Sequence, residues 1–583
     1  MKSATTAILV IVTAALLAVP CRSYAQLVKG DTMFVYPNPI GNLNDVIMGD
    51  TTQTGQRADS NRVYVLFGGT DQDTSIYYFD NQINMYNNIT IVGRPDPKTG
   101  MLPVIAPIYN VDGNIPPAFV NEYAPKTNVT FKNLFFIGKT PNGLMQVIQF
   151  TGLDADSIDL RMDHCVVSAF MHSALHVIQV NANYVSLFVT NCEFRNIQTP
   201  QMNGAAVAWY NAKAPSDSIV FVNNTLFCVE RSIVGEAGYC GNLILNHNTI
   251  FCTADPPLDS PEAYHEVITN NIWYSDFAGG LDSAYMKAGN IYNVKNRVPA
   301  DICLDSLRLL AGPPFGFTEA ERKDTIMNNA YCWDPALVAL WKTISDTATH
   351  DPGLVTRPVW MDSMTTRMFT DKSAWPLMYM ANNDSTNPDF NPVLVKSTID
   401  SLVKWISLWW TQRTTGTFLY GQDTLNPATI FSDIPSDWAS KQNYPVPENL
   451  SYTNSSMTSA GTDGFALGDL NWFPAQWKLY EAGEVNAIQT PTQQVPVEFS
   501  LSQNYPNPFN PSTNIDFSLK QAGVMSLKIY NVLGQLVDVV AQGYKPAGVY
   551  NYNVSMDKFA SGVYFYTLRE GSNVMTKKML LLK

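Results

Sequence analysis

The chain has 583 residues, of which 46% are hydrophobic, 12% aromatic and only 15% charged. The hydrophobic share excludes a disordered chain, and the scarcity of charge leaves Asn, Thr, Ser and Tyr to meet polar needs, as in exported β-rich proteins. A net charge of −13 excludes a nucleic-acid binder, which needs a basic face to neutralise phosphates.

The first element in chain order is an export signal. Lys2 supplies a positive start, residues 7–18 are apolar and uncharged, and Ser23-Tyr24-Ala25 places small residues where a signal peptidase cuts. Residues 1–25 therefore read as a signal peptide, with cleavage between Ala25 and Gln26. The apolar run is shorter than the roughly 20 residues of a membrane span. Cys21 offers lipidation as an alternative, but Pro20 before it fits that signal poorly. No later stretch reads as a membrane span. Of eight cysteines, removing Cys21 leaves an odd number, so at least one thiol stays unpaired within the chain. No CxxC pair suggests zinc.

Between about residues 85 and 295 a short theme recurs: an apolar-alternating run, one or two Asn, then another apolar run. It appears at Asn133, His164, Asn191, Asn224, Asn248 and Asn271. The copies lie about two to three dozen residues apart, too close for a repeating strand–helix–strand unit. Asn tolerates the left-handed conformation of a tight bend, and stacked once per coil its amide can bond to the Asn above and below. An apolar column is expected three places on, at Val167, Phe194, Phe227, Phe251 and Tyr274. Cys165 with Cys192, and Cys228 with Cys252, fall in shared columns and are expected to form thiol ladders, with disulfides as the alternative. The fold class is mainly β: a right-handed parallel β-helix over residues 26–299. An antiparallel sandwich or a propeller is the competing fold. In architecture, though not in any catalytic signature, the region resembles the pectate-lyase-like β-helix superfamily.

Residues 300–486 read as a mixed loop and helix region packed on the β-helix. Helices are expected over 318–328, 335–344 and 392–412, with Trp405, Trp409 and Trp410 packing on the last. Asp463, Asp469 and Asn471, in a turn-rich segment, offer hard oxygen ligands; calcium is the one ion they suggest, although their spacing departs from an EF-hand loop. Residues 487–496 form a Gln/Thr/Pro-rich linker.

Short strand candidates then follow at 497–501, 513–519, 524–532, 536–541, 548–554, 562–568 and 574–582, predicting a small Ig-like β-sandwich over 497–583. The segment carries Asn504-Tyr505-Pro506-Asn507-Pro508-Phe509, a Ser561-Gly562-Val563-Tyr564 run and a closing Lys577-Lys578-Met579-Leu580. These motifs resemble the type A sorting domain of the type IX (Por) secretion system. The resemblance implies that the type IX machinery is a partner and that the chain passes through the periplasm to the outer surface or the medium. An Ig-like binding or scaffolding module is the plainer reading.

The β-helix resemblance implies chemistry on polysaccharides, either a lyase with a proton-abstracting base or a hydrolase with paired carboxylates. The best candidates are Arg161, Asp163 and His164 in one coil and Glu193 and Arg195 in the next, with His172, His176, Glu230, Arg231 and Glu236 nearby. Glu193 and Arg195 share a strand face and are expected to pair across solvent, an interaction of small value. His164 stands in the Asn column and reads as a turn residue. No Ser-His-Asp, Cys-His, phosphate-loop or redox-cofactor motif appears. Three functions stay open: a polysaccharide-binding or adhesive surface protein, a polysaccharide lyase or glycosidase, and a structural surface component.

Overall fold

The computed structural model describes residues 26–37, 42–50, 59, 61–69, 76–85, 88–122, 127–138, 146–150, 158–168, 176–180, 184–197, 206–210, 216–229, 233–236, 239–253, 258–259, 262–276, 281–282, 300–304, 319–346, 355–356, 359–414, 448–483, 499–520, 523–545, 548–570 and 573–583. The chain is mainly β, with large parallel sheets. It visits three sheets in turn. From one circuit it passes Asn128–Lys132 in the first sheet, Phe135–Ile137 in the second and Gln146–Phe150 in the third; it then returns to the first at Asp159–Asp163. Each strand pairs in parallel with its counterpart one circuit earlier and later. Among the described residues the first sheet has twelve strands and the other two nine each. This order is consistent with a parallel β-helix. An antiparallel partner, Gln26–Lys29 on Thr32–Val35, ends the first sheet at the N-terminal side.

The corner between the first and second sheets explains the repeated Asn. Asn133, His164, Asn191, Asn223, His247, Asn270, Asn328 and Asn382 all hold a φ between 51° and 62°. That region costs most L-residues about 1–2 kcal/mol but suits Asn, whose short amide bonds locally. The next residue points inward and forms the ladder. Asn224 Nδ2 donates to Asn248 Oδ1 at 3.0 Å, Asn248 to Asn271 at 2.9 Å, Asn271 to Asn329 at 2.9 Å and Asn329 to Asn383 at 2.8 Å. Cys192 precedes Asn224 in this column, and its Sγ accepts the Cys165 N–H at 3.4 Å, where an Asn oxygen would otherwise serve. Cys165, Cys192, Cys228, Cys252 and Cys332 carry thiols, as the ladder reading expects.

The expected Asn column contains two adjacent columns, and the structure separates them. Asn133, His164 and Asn191 are the bend residues, whereas Asn224, Asn248 and Asn271 are the ladder residues one place later. A one-residue slip reverses the face of a strand. The inward column is therefore Phe136, Val167, Phe194, Leu226, Ile250 and Trp273. Phe227, Phe251 and Tyr274 align instead with Arg195 and face outward.

That outward stripe is covered rather than wet. Phe227 stacks on Phe251 at 5.3 Å and Phe251 on Tyr274 at 5.0 Å. Leu337 and Trp341 of the helix Pro335–Asp346, Leu402 and Ile406 of the helix Pro392–Thr414, and Tyr452 and Leu470 of the 448–483 segment join them in one core. The side chains of Trp405, Trp409 and Trp410 lie outside the described part. The helix expected over 318–328 is not formed: Lys323–Met327 is a strand, paired in parallel with His265–Thr269. Asp324 and Ile326 alternate inward, and Asn328-Asn329 repeats the corner, so tertiary pairing overrides local helix preference. Parallel pairing thus runs past residue 299, ending with Val359–Met361 and Tyr379–Ala381. Among the described residues no helix is long and apolar enough to cross a membrane.

The strands expected after residue 497 fall where the turns place them, in two antiparallel sheets. One contains Ser500–Leu501, Ser512–Leu519 and Gly548–Ser555; the other contains Gly523–Asn531, Leu536–Lys545, Gly562–Glu570 and Asn573–Leu581. Ile515 and Phe517 of the first share a core with Leu527, Tyr566 and Met579 of the second.

Candidate functional site

The sequence candidates separate into two groups. Arg161 and Asp163 alternate outward on Asp159–Asp163, where Leu160 and Met162 fill the core. Arg161 is half-exposed; it pairs with Asp159 at 3.0 Å and lies 4.1 Å from the Phe188 ring on the next strand. Asp163 gathers Lys132 Nζ at 2.6 Å, His164 Nδ1 at 2.8 Å, Asn191 Nδ2 at 2.8 Å and the Thr190 hydroxyl at 3.0 Å. Burial would raise its pKa, but the bonds from His164 and Lys132 outweigh burial and hold the carboxyl well below its ordinary range. His164 is a bend residue at φ 51°, as its place in the column suggests. This corner is an ionised, polar, accessible surface.

Glu193 and Arg195 lie in a different environment, on the outer face of the second sheet. They do not pair across open solvent, because the 448–483 segment covers them. Arg195 Nε donates to Glu448 Oε1 at 2.6 Å, while Glu193 stands 3.7 Å from Arg195. The Glu193 and Arg195 side chains keep only 12% and 14% of their exposure, so this pair is largely desolvated. Burial first, then the charge of Glu448, pushes the Glu193 carboxyl well above its ordinary pKa, with Arg195 opposing. A carboxyl whose pKa is raised in this way is suited to donate a proton, though here beneath a cover. Glu448 had no signal in the sequence: it lies 253 residues from its partner. His172, Glu230 and Arg231 lie outside the described residues, as do the side chains of His176 and Glu236.

Asp463, Asp469 and Asn471 do not converge on an ion. Asp463 Oδ2 meets His247 Nε2 at 2.8 Å. Asp469 Oδ2 accepts from the Thr225 hydroxyl at 2.6 Å, and its Oδ1 accepts from Asn471 N at 2.8 Å. Asn471 meets Asp469 through its backbone N–H, its Nδ2 donates to Asn223 O at 3.4 Å, and both acids dock the covering segment onto the corner. Among the described residues no three His, Cys, Asp or Glu side chains gather as a metal set. Burial raises the Asp469 carboxyl to about 7, against bonds from Thr225 and Asn471 that lower it. The folded state therefore binds a proton that the unfolded chain has lost, and docking weakens as pH rises from about 4 to about 7. Glu193 is raised too and acts in the same direction. Hydrogen exchange across 448–483, corrected for intrinsic rates, is expected to be slower at about pH 5 than at about pH 8, with Asp469→Asn narrowing the gap. Equal protection at both values, or no narrowing, would refute this.

The C-terminal motif is pinned to the last strand. Asn504 is buried, donating to the Thr513 hydroxyl at 3.0 Å and to Pro506 O at 3.1 Å. Asn507 Oδ1 accepts Leu580 N at 2.9 Å, and buried Phe509 exchanges backbone bonds with Leu580 and Leu582 at 3.0 Å. Tyr505 is exposed, Gly562 opens its strand, and Lys577 and Lys578 lie exposed on Asn573–Leu581. Residues 503–582 match the family model of a secretion system C-terminal sorting domain. The match covers that tail alone. This sorting domain supports type IX secretion to the cell surface and engagement of the type IX machinery. No curated protein matches the chain, and no solved structure does.

Proposed function

We propose that this is an exported surface protein that binds polysaccharide. Residues 1–25 act as a cleaved signal peptide, and the three parallel sheets form a right-handed parallel β-helix that occupies 26–299 and runs on to Tyr379–Ala381. Residues 300–486 continue and cover the β-helix, and 487–496 link it to a C-terminal Ig-like β-sandwich at 497–583 that carries the address. The observation that carries the binding reading is the accessible corner of the first sheet. There Lys132, Arg161 with Asp163, and Phe188 stand on successive strands ~4.8 Å apart. Fixed charged and hydrogen-bonding groups beside an aromatic ring suit the hydroxyls and apolar faces of sugars. The purified chain is expected to be retained on at least one polysaccharide column, with about tenfold weaker retention in Arg161→Ala and Lys132→Ala. Silence across acidic and neutral polymers, with and without calcium, would leave a structural surface component instead.

A second reading, a lyase or glycosidase, is favoured by the raised Glu193 carboxyl beside Arg195 and Glu448. Unsaturated products or new reducing ends that vanish in Glu193→Gln would establish it; turnover unchanged by that variant would remove Glu193 from the chemistry.

A further inference from the structure

The same outward face of the first sheet carries a second feature near its N-terminal end. On Thr32–Val35 and Val63–Phe67 the inward positions Met33, Val35, Tyr64 and Leu66 fill the core, so Phe34 and Phe67 point outward by alternation. Tyr36 follows and is 43% exposed. Its ring lies parallel on Phe67, at 4.9 Å and 8°, and Phe34 stacks beside Phe67 at 6.1 Å. Arg94, register partner of Phe67 on the next strand, lays its guanidinium 5.2 Å from the Phe34 ring and 6.0 Å from the Phe67 ring. Arg94 is exposed and makes no ion pair among the described residues, whereas Arg62, Lys132, Arg161, Arg195 and Arg322 each meet a carboxylate. These three rings stand on the outer face of the sheet, where Phe34 and Phe67 are half-buried and Tyr36 is exposed. A flat apolar plane carrying a positive charge that meets no carboxylate among the described residues is complementary to a sugar ring bearing an anionic group.

We infer that Phe34, Tyr36, Phe67 and Arg94 form a glycan-contact platform that selects acidic sugars, the rings stacking on the sugar's C–H face and Arg94 taking its carboxylate or sulfate. This rests on the polysaccharide reading and narrows its ligand. The platform and the Arg161–Phe188 patch share one face. Phe67 and Phe188 are four strand steps apart in the first sheet, roughly 20 Å. A linear chain of several sugars lying along the stack reaches both.

The test uses the purified full chain on two immobilised polymers, a linear polyuronate and the same polymer with its carboxyl groups reduced to alcohols. The native chain is expected to favour the polyuronate by about tenfold, a preference that fades as salt rises. Arg94→Gln is expected to abolish the preference and keep residual binding to both polymers. Tyr36→Ala is expected to weaken both about tenfold. Both positions are at the surface, so unchanged thermal unfolding confirms that the variants are folded. If the native chain binds and these variants bind like it while Arg161→Ala does not, the platform falls and the polysaccharide reading stands. If Tyr36→Ala splits a dimer without changing retention, the rings are an interface between copies and the inference is wrong. Retention of the native chain by neither polymer overturns the inference; the reading on which it rests falls only if the wider set of acidic and neutral polysaccharide columns is silent as well.

Discussion

Asn271→Ala is expected to destabilise the fold by about 3–5 kcal/mol. Asn271 is fully buried, and its amide makes four bonds. Its Nδ2 donates to Leu245 O at 3.0 Å and to Asn329 Oδ1 at 2.9 Å; its Oδ1 accepts from Asn248 N at 2.8 Å and Asn248 Nδ2 at 2.9 Å. Truncation leaves donors and acceptors on three neighbours inside a dry corner, each costing about 1–3 kcal/mol when unsatisfied. It also breaks a ladder in which each amide fixes the next, so the loss extends to the coils above and below. Asn382→Ala, at the partly exposed end of the bend column, serves as the contrast. It forgoes a bond at 3.3 Å to Asn328 Oδ1 and is expected to cost about 1 kcal/mol, chiefly from the left-handed conformation. Denaturant unfolding followed by tryptophan fluorescence, with hydrogen exchange to locate the loosened strands, separates the two. Comparable losses at both positions would show that the ladder adds nothing beyond the bend.

Arg322→Met is expected to cost a further about 3–5 kcal/mol at neutral pH, by a different route. In the first sheet the inward column runs Leu160, Leu187, Ile219, Leu243, and then Glu266 and Asp324. Arg322, itself fully buried, neutralises them: Nη2 lies 2.9 Å from Glu266 and Nε 2.8 Å from Asp324. Burial still lifts the Asp324 carboxyl to about 6 and Glu266 well above its ordinary value, despite the guanidinium. Without Arg322 both acids are left uncompensated in the core. Carboxylates raised in this way favour the folded state while protonated, so their contribution is lost as pH rises through about 6. The deficit of Arg322→Met is therefore expected to be smaller at about pH 5 than at about pH 8. Replacing all three residues with apolar ones of similar volume is expected to restore stability, since a buried ion group seldom outweighs good packing. Melting temperatures at the two pH values decide: an equal deficit at both would mean that the acids are not what the arginine holds in place.

The parallel coils were readable because their cause is local. A bend that needs a left-handed residue selects Asn or His, and the same bend returns each time the chain comes round, at Asn133, His164, Asn191 and onward. Which of two adjacent Asn makes the bend and which makes the ladder was not readable. Asn223 and Asn224 are chemically identical, and only the register of the neighbouring strand tells them apart. That one-place ambiguity puts Phe227 and Phe251 in one expected column with Val167 and Phe194, although they face the other way. The strand Lys323–Met327 was hidden for a related reason: its charged Asp324 points inward, where only Arg322 and Glu266 make it tolerable.

By itself the sequence determined the repeating β architecture and the sorting motif, because each is written in neighbouring residues: a recurring bend, and a Pro-rich turn followed by short strands. Tertiary structure alone decided that Glu193 and Arg195 lie under a cover while Arg161 stays in water. The partners that settle it, Glu448 for the first and Phe188 for the second, come from other coils or from hundreds of residues away, and burial depends on the face that each strand presents.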